Sequence, residues 1–277
     1  MLSPKEIAEL TVETGVKKAN LKWWKQFILG ILAGLFIAMA ANAASVVGYT
    51  ADSAGMAKML SGSLFGTGLI MVLLAGAELF TGNCLMSMAV AEKRIRLREM
   101  LRNWFFVFIG NMIGPMIYTF LVSLTSQMSM DGGLLGAYTF STAYTKCTIG
   151  ALEGFIHGLF CNILVCTAVF ISYASRDIVG KIAAMFFPIW IFVVSGYEHC
   201  VANMYFIPMA IFSLDKQECV DAAMARYGLT AEQLEQINFE NFFFTNLLPV
   251  TLGNVVGGVL CVGLVYWLVY VRENKEK

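Results

Sequence analysis

An ionisable pair, Glu198 and His199, lies in the middle of a long apolar segment. The flanking stretches 182–197 and 200–214 contain no charged residue. Neither flank alone reaches the roughly 20 residues that cross a hydrocarbon core, but together they exceed that length. The pair is therefore predicted to lie near the membrane midplane, where a charge costs about 2.5–3.5 kcal/mol on insertion scales and commonly marks a functional site.

Glycine and polar residues surround this pair, which favours a helix that breaks at the same depth. Gly196 precedes the pair and Asn203 follows it. Unwound backbone inside a membrane is tolerated only where it is buried in protein or lines a cavity. We interpret the segment as a transport site, and the alternative is a structural polar kink within a helix bundle.

A second interrupted segment carries the same pattern. Two triplets share the spacing G-x-E-x4-N and lie 120 positions apart: Gly76, Glu78 and Asn83, and then Gly196, Glu198 and Asn203. Other matches follow in the same order along the chain: G-N-x-x-G at 110–114 and 253–257, and GLF at 34–36 and 158–160. Together they predict a repeat of three helices per half. Because an odd number of spans reverses the second half, the repeat is inverted, with a site where the two broken helices meet.

The composition indicates a polytopic membrane protein. Of 277 residues, 58% are hydrophobic and 14% are charged, and the mean hydropathy is +0.70. Soluble domains are about 25% charged. No basic tract of the nucleic-acid-binding kind occurs, so no nucleic-acid partner is predicted. The sequence also lacks a cofactor motif, a metal-binding motif and a nucleophile elbow, so we predict no cofactor and no enzyme activity.

The apolar runs predict six spans. They cover 27–50, 59–91 with a break at Glu78, 103–125, 154–174, 182–214 with a break at the ionisable pair, and 241–271. Before them, residues 1–26 are predicted to form a cytoplasmic amphipathic helix. The six-span domain is then 27–271, with halves at about 27–125 and 150–271, and 272–277 form a cytoplasmic tail.

The distribution of basic residues predicts the orientation. Only four of the 19 lysines and arginines fall in segments on one side of the membrane: Lys58, Lys146, Lys216 and Arg226. Cytoplasmic segments are enriched in lysine and arginine. Both termini are therefore predicted to be cytoplasmic, in a multi-pass protein of the cytoplasmic membrane.

The sequence as a whole resembles the formate/nitrite transporter family of anion channels. The similarity covers nearly the whole chain and is most specific in four segments: GAELFTGN (76–83), CNILVC (161–166), SGYEHCVANM (195–204) and PVTLGN (249–254). The resemblance implies an all-α, aquaporin-like fold of six transmembrane helices, with the second and fifth broken. It also implies a homopentamer in the lipid bilayer, with one pore in each protomer.

The resemblance assigns roles to individual residues. His199 matches the single pore histidine, with Thr81 and Asn254 as its hydrogen-bonding neighbours. The constrictions are assigned to Leu69 and Leu79 on the cytoplasmic side and to Phe65 and Phe192 on the periplasmic side. Phe80, in the loop of the broken second helix, is also assigned to a constriction. Two vestibule lysines lie near buried carboxylates: Lys146 near Glu198 on the outer side, and Lys18 near Glu78 on the inner side. An equal offset from the GLF match points instead to Lys22 as the inner lysine.

The energetics of a small anion suggest a mechanism. Transfer of an ion into hydrocarbon carries an idealised cost of about 20 kcal/mol, and one lysine at about 4 Å returns roughly 4 kcal/mol at an effective dielectric of 20. The pore is therefore either wet and lined with donors, or the anion crosses as its neutral acid. Phenylalanine and leucine constrictions favour the second, with the proton supplied by water or by His199.

The substrate is not fixed by the sequence. We favour formate among the small monovalent anions, with nitrite and hydrosulfide as alternatives within the family. A more remote alternative is an aquaporin-like pore for neutral solutes. A membrane enzyme using Glu198 and His199 as acid and base is disfavoured, because no nucleophile or cofactor motif accompanies them.

Overall fold

Helices form every regular element of the part described by the computed structural model, residues 1–272. In chain order they are α1 Pro4–Ala19, α2 Trp23–Gly48, α3 Ala54–Leu74, α4 Phe80–Ala91, α5 Leu97–Ser123, α6 Met130–Cys147, α7 Ala151–Ser172, α8 Ile178–Ser195, α9 Cys200–Ile211, α10 Gln217–Tyr227, α11 Ala231–Glu235 and α12 Asn241–Tyr270. Six are long and apolar enough to cross a membrane: α2, α3, α5, α7, α8 and α12. The predicted all-α class with six spans is confirmed. The predicted tail lies outside the described residues beyond Arg272.

Both predicted helix breaks are present and have nearly the same backbone conformation. Gly76, between α3 and α4, has φ of 78°, and Gly196, between α8 and α9, has φ of 75°. This left-handed conformation favours glycine, because other side chains clash there. Leu79 and His199 then precede α4 and α9 with φ/ψ of −109°/123° and −111°/115°. The second and fifth spans are thus interrupted in the same way.

The two halves pack their first and third spans through glycines. A Cβ atom on Gly110 of α5 would lie 2.5 Å from the carbonyl oxygen of Phe27 on α2. A Cβ on Gly253 of α12 would collide in the same way with the carbonyl of Phe155 on α7. Small residues allow such close backbone approach between membrane helices. The equivalent crossings support the inverted repeat.

The structure corrects the register of this repeat. The N–H groups of Glu78 and Glu198 donate to the carbonyls of Leu29 and His157, at 3.2 and 3.4 Å. These acceptors lie 128 positions apart, as do Lys18 and Lys146. The GLF match used an offset of 124, which is one helical turn away from the observed equivalence. That match was therefore wrong as an alignment, and so was its implication that Lys22 is the inner lysine.

The N-terminal helix is shorter than predicted, and the first span starts earlier. Helix α1 ends at Ala19, and α2 begins at Trp23 instead of near residue 27. Two side chains from the following helices satisfy its last carbonyls: Arg102 donates to Ala19 at 2.6 Å, and Gln26 donates to Lys18 at 3.1 Å. The last carbonyls of a helix have no intrahelical partner, and these contacts satisfy two of them.

Two helices, α6 and α10, were not predicted from the sequence. Helix α6 buries Leu135, Thr139, Ala143 and Cys147, which recur every four residues. This spacing is typical of a one-sided helix, but small and polar residues such as Gly136 and Thr142 obscure it. Helix α10 packs against α6, so each provides the apolar surface that the other lacks.

Helix α1 begins with a reciprocal cap. The Ser3 N–H donates to Glu6 Oε2 at 2.7 Å, and the Glu6 N–H donates to Ser3 Oγ at 3.4 Å. The hydrogen bonds that the Ser3 backbone N–H and then the Ser3 hydroxyl donate to the Glu6 carboxylate hold the pKa of Glu6 below its ordinary value of 4.5. A lowered pKa in the folded state means that the stabilisation is complete above pH 4.5 and is lost as the pH falls through the lower folded pKa.

We therefore expect the first turn of α1 to open at acid pH. Amide hydrogen exchange at residues 5–8, corrected for its intrinsic pH dependence, should accelerate as Glu6 becomes protonated. Glu6→Gln keeps the capping hydrogen bonds but cannot titrate, so its corrected exchange should not change with pH. The same acceleration in this variant would contradict the assignment.

Candidate functional site

Asn254, on α12, holds the break that contains His199. Its Oδ1 accepts from the Cys200 N–H at 2.9 Å. Its Nδ2 donates to the carbonyls of Glu198 and Gly158, at 3.0 and 2.7 Å. The amide thus satisfies the peptide groups on both sides of His199 and makes no hydrogen bond to the imidazole. The expected Asn254–imidazole hydrogen bond was wrong, because the side-chain amide bonds instead to the unwound backbone beside His199 and to the backbone of α7.

Asn111, on α5, holds the other break in the same manner. Its Oδ1 accepts from the Phe80 N–H at 2.8 Å. Its Nδ2 donates to the carbonyls of Glu78 and Gly30, at 2.9 and 2.8 Å. The residue between the two bonded peptide groups is Leu79, which occupies the position of His199. The polar side chain at the centre is therefore present in only one half of the repeat.

A buried chain of four polar side chains begins at Lys146. Its Nζ lies 2.6 Å from Glu198 Oε1, and the two side chains are only 14% and 8% exposed. Asn203 Nδ2 donates to Glu198 Oε2 and to Asn246 Oδ1, both at 2.7 Å. Asn246 Nδ2 donates to the Lys146 carbonyl at 3.1 Å, which closes the chain. A closed set of partners is what a buried charge pair requires.

An equivalent chain begins at Lys18 in the other half. Its Nζ lies 2.8 Å from Glu78 Oε1, with side-chain exposures of 20% and 6%. Asn83 Nδ2 donates to Glu78 Oε2 at 2.7 Å and to Asn103 Oδ1 at 2.8 Å. The predicted residues Lys18, Glu78 and Asn83 are thus brought together, although Lys18 comes from the N-terminal helix α1 and not from a span.

Asn103 and Asn246 were not predicted as site residues, although the sequence contains a pattern that marks them. The segments 103–114 and 246–257 share the longer pattern N-x3-V-x2-G-N-x2-G. Only its second part, G-N-x-x-G, was used to define the repeat. The first asparagine of this pattern closes each polar chain, and the second holds each helix break.

His199 connects the two broken helices. Its Nδ1 accepts from the Ala202 N–H at 3.1 Å, which caps α9, and its Nε2 lies 2.8 Å from Thr81 Oγ1. An Nδ1 that accepts places the proton of a neutral imidazole on Nε2, by assignment from these partners. Thr81 Oγ1 then accepts a hydrogen bond from this Nε2–H group, and the hydroxyl hydrogen of Thr81 remains available to a solute. A second proton on His199 would face the Ala202 N–H and break the cap.

Apolar side chains form a thin barrier around this centre. The rings of Phe65 and Phe192 meet edge to face with centroids 5.5 Å apart, and Phe192 lies 6.1 Å from the imidazole. Leu69 and Leu79 lie on the other side and are 3% and 4% exposed. Phe65 and Leu69 are one turn apart on α3, which corresponds to about 6 Å along the helix.

A cavity lies on each side of this barrier. The Lys146 vestibule has a volume of about 170 Å³ and is lined by residues that include Lys58, Phe65, Lys146, Phe192, Glu198 and His199. The Lys18 vestibule consists of two cavities of about 30 and 190 Å³ that share Lys18. The smaller reaches Leu69 and Leu79, and the larger includes Gly76, Glu78 and Lys181. Thr11 and Thr14 of α1 also line the smaller cavity.

Phe80 differs from its predicted place at a constriction. Its ring packs edge to face against Phe108 and Trp104, with centroids 4.9 and 5.7 Å apart. It lines neither vestibule. The side chain following Leu79 points towards α5, because successive residues at the start of α4 face different directions. The contribution of Phe80 to the break is the backbone N–H held by Asn111.

Comparisons with known proteins agree with this geometry. The family model described as "Formate/nitrite transporter" matches residues 5–268. The "Formate channel FocA" of Escherichia coli (strain K12) is 36% identical over 99% of this chain and 96% of its own length. The "Probable formate transporter" of Methanothermobacter thermautotrophicus is 35% identical over 98% of both chains.

Solved structures share the fold. One described as "Pentameric formate channel with formate bound" superposes with a TM-score of 0.79 and 38% identity, covering 90% of this chain and 98% of that one. An "FNT family ion channel" gives a TM-score of 0.74 at 27% identity, covering 95% and 98%. This multi-pass membrane chain belongs to the formate/nitrite transporter family.

Proposed function

We propose that this protein is a formate channel of the cytoplasmic membrane, and not an enzyme. It would assemble as a homopentamer, with one pore in each protomer and both termini in the cytoplasm. The observation that carries the proposal is the pair of vestibules, each with a lysine–glutamate pair, on either side of an apolar barrier about 6 Å thick. The formate channels among its relatives, and the pentameric structure with formate bound, support the substrate.

In this proposal residues 1–22 are the cytoplasmic part, the six-span channel domain extends from Trp23 to residue 271, and the tail from residue 272 is cytoplasmic. The Lys146 vestibule then opens to the outside and the Lys18 vestibule to the cytoplasm. Leu69 and Leu79 form the cytoplasmic constriction. Phe65 and Phe192 form the outer one, and His199 lies between them with Thr81.

The charges favour passage of the neutral acid. An anion entering the apolar barrier faces an idealised cost of about 20 kcal/mol, and a lysine at about 4 Å returns only roughly 4 kcal/mol. The positive charges of Lys146 and Lys18 are already compensated by the carboxylates of Glu198 and Glu78. Formate therefore takes up a proton in the vestibule and crosses the barrier as formic acid.

The hydrogen bonds at the centre restrict the source of that proton. His199 remains neutral because protonation of Nδ1 would remove the cap on Ala202. The proton therefore comes from water in the vestibule. The hydroxyl hydrogen of Thr81 gives the crossing acid one hydrogen-bond donor within the barrier, and the Nε2–H of His199 orients that hydroxyl.

Flux into proteoliposomes tests this function. We expect purified protein to carry formate selectively over nitrite, hydrosulfide and chloride, after subtraction of the leak through protein-free vesicles. The formate rate should rise by up to about tenfold per unit fall in pH, because the fraction of neutral acid rises by that factor above its pKa. A preference for nitrite or hydrosulfide would overturn the substrate, and flux of none of them would overturn the transport assignment.

His199→Asn tests the role of the imidazole at the centre of the barrier. Asparagine can still cap α9 through its side-chain oxygen, but it lacks the ring donor that orients Thr81. We expect roughly tenfold lower formate flux with an unchanged thermal midpoint. Unchanged flux and pH dependence would contradict the role assigned to His199.

A further inference from the structure

Each vestibule contains a second lysine. Lys58, on α3, lines the Lys146 vestibule, and Lys181, on α8, lines the larger cavity of the Lys18 vestibule. The close ion pairs within residues 1–272 are Lys18–Glu78, Glu13–Arg94, Arg96–Glu99 and Lys146–Glu198. Neither Lys58 nor Lys181 takes part in them. With neutral His199, each vestibule thus holds two ammonium groups and one carboxylate, so one positive charge is uncompensated.

The two lysines occupy related places in the repeat. Lys58 belongs to the first half but lies beside the break of the second, since a Cβ on Gly196 would be 3.3 Å from its Nζ. Lys181 belongs to the second half and lines the cavity that contains Gly76, in the break of the first. Each half of the repeat therefore places one lysine beside the helix break of the other half.

We propose that Lys58 and Lys181 capture the anion in the two vestibules. The proposal rests on the proposed function and names residues for its first step. Lys146 and Lys18 are held by Glu198 and Glu78, and their pairs chiefly fix the broken helices. Lys58 is exposed and Lys181 is half-buried, so their fields reach a small monovalent carboxylate before it loses its water.

The half-saturating formate concentration, measured from each face of vesicles with one protein orientation, tests this role. Lys58→Gln should raise it about fivefold at the face of the Lys146 vestibule, the factor given by one unit charge at about 4 Å in water. The opposite face should not change. Lys181→Gln should give the reverse pattern, and Lys58→Arg should restore the wild-type value. Added impermeant salt should raise the wild-type value more than that of Lys58→Gln.

Lys216→Gln is the matched control for Lys58→Gln. Lys216 lies on the same side and donates to the Thr125 carbonyl at 3.3 Å, but it does not line the vestibule. Its loss removes the same charge and should leave both half-saturating concentrations unchanged. An equal rise in this variant would show a general surface effect and overturn the proposal.

A purely structural role for Lys58 gives a different result. Its ammonium lies near the C-terminal end of α8, where a cation also stabilises a helix. Lys58→Gln would then lower the thermal midpoint and leave the half-saturating concentration unchanged, which would overturn the capture role. Wild-type protein without formate flux would overturn the proposed function and this inference with it. Normal wild-type flux with unchanged half-saturation in both variants would overturn this inference alone.

Discussion

Lys146→Met is expected to destabilise the protein by about 3–5 kcal/mol, because it leaves the Glu198 carboxylate buried without its counter-charge. The two side chains are 14% and 8% exposed, so solvent cannot replace the ammonium. Formate flux should fall to the level of protein-free vesicles, because the ion pair that fixes the helix break beside His199 is lost. Reversible unfolding of the detergent-solubilised protein measures the first effect, and proteoliposome flux measures the second.

Two further variants make this expectation specific. Combining Lys146→Met with Glu198→Gln removes both charges and should recover much of the stability, since neutral replacements of a buried pair are often tolerated. Arg94→Met breaks the pair between Arg94 and Glu13, whose side chains are 48% and 49% exposed, respectively. This loss should cost at most about 1 kcal/mol. A loss for Lys146→Met no larger than that for Arg94→Met would refute the prediction.

Asn254→Ala is expected to have an effect of similar size, about 3 kcal/mol or more. It removes the partner of the Cys200 N–H and the donors to Glu198 and Gly158 carbonyls. Each buried group left without a partner costs about 1–3 kcal/mol. The break would relax and move His199 away from Thr81, so flux should also be lost. Thermal unfolding and proteoliposome flux provide the measurements.

The repeat supplies matched variants for this test. Asn111→Ala should be comparably destabilising, because Asn111 satisfies the same three kinds of backbone group in the other break. Asn20→Ala, at the exposed end of α1, should change stability by no more than about 0.5 kcal/mol. If Asn254→Ala were as mild as Asn20→Ala, the backbone at the break would not depend on the amide.

The helix breaks could be predicted from sequence because their signals are local. A carboxylate in an apolar run carries a large transfer cost, and a glycine before it indicates the turn. Glu78 and Glu198 therefore marked both breaks, and the resemblance brought Thr81 to His199. The order of spans followed from hydropathy alone.

Other features depended on tertiary distances that sequence spacing does not encode. Asn254 was predicted to bond to the imidazole, but its position on α12 brings its side-chain amide to the peptide groups on either side of His199 instead. The GLF match lay one turn from the true register, because any single helical tripeptide can recur by chance. Helix α6 was not predicted because its buried face contains small and polar residues. These residues pack well only when α10 covers them.

The thinness of the apolar barrier also determines how the pore responds to membrane potential. Only a small part of the transmembrane potential falls across water-filled vestibules. Most of it therefore falls across the roughly 6 Å between Phe65 and Leu69. An ion crossing that turn would experience nearly the whole drop, about 2.3 kcal/mol per 100 mV. An uncharged acid experiences none of it. A single turn of helix thus makes the difference between a current that follows voltage and a flow that follows only concentration and acidity.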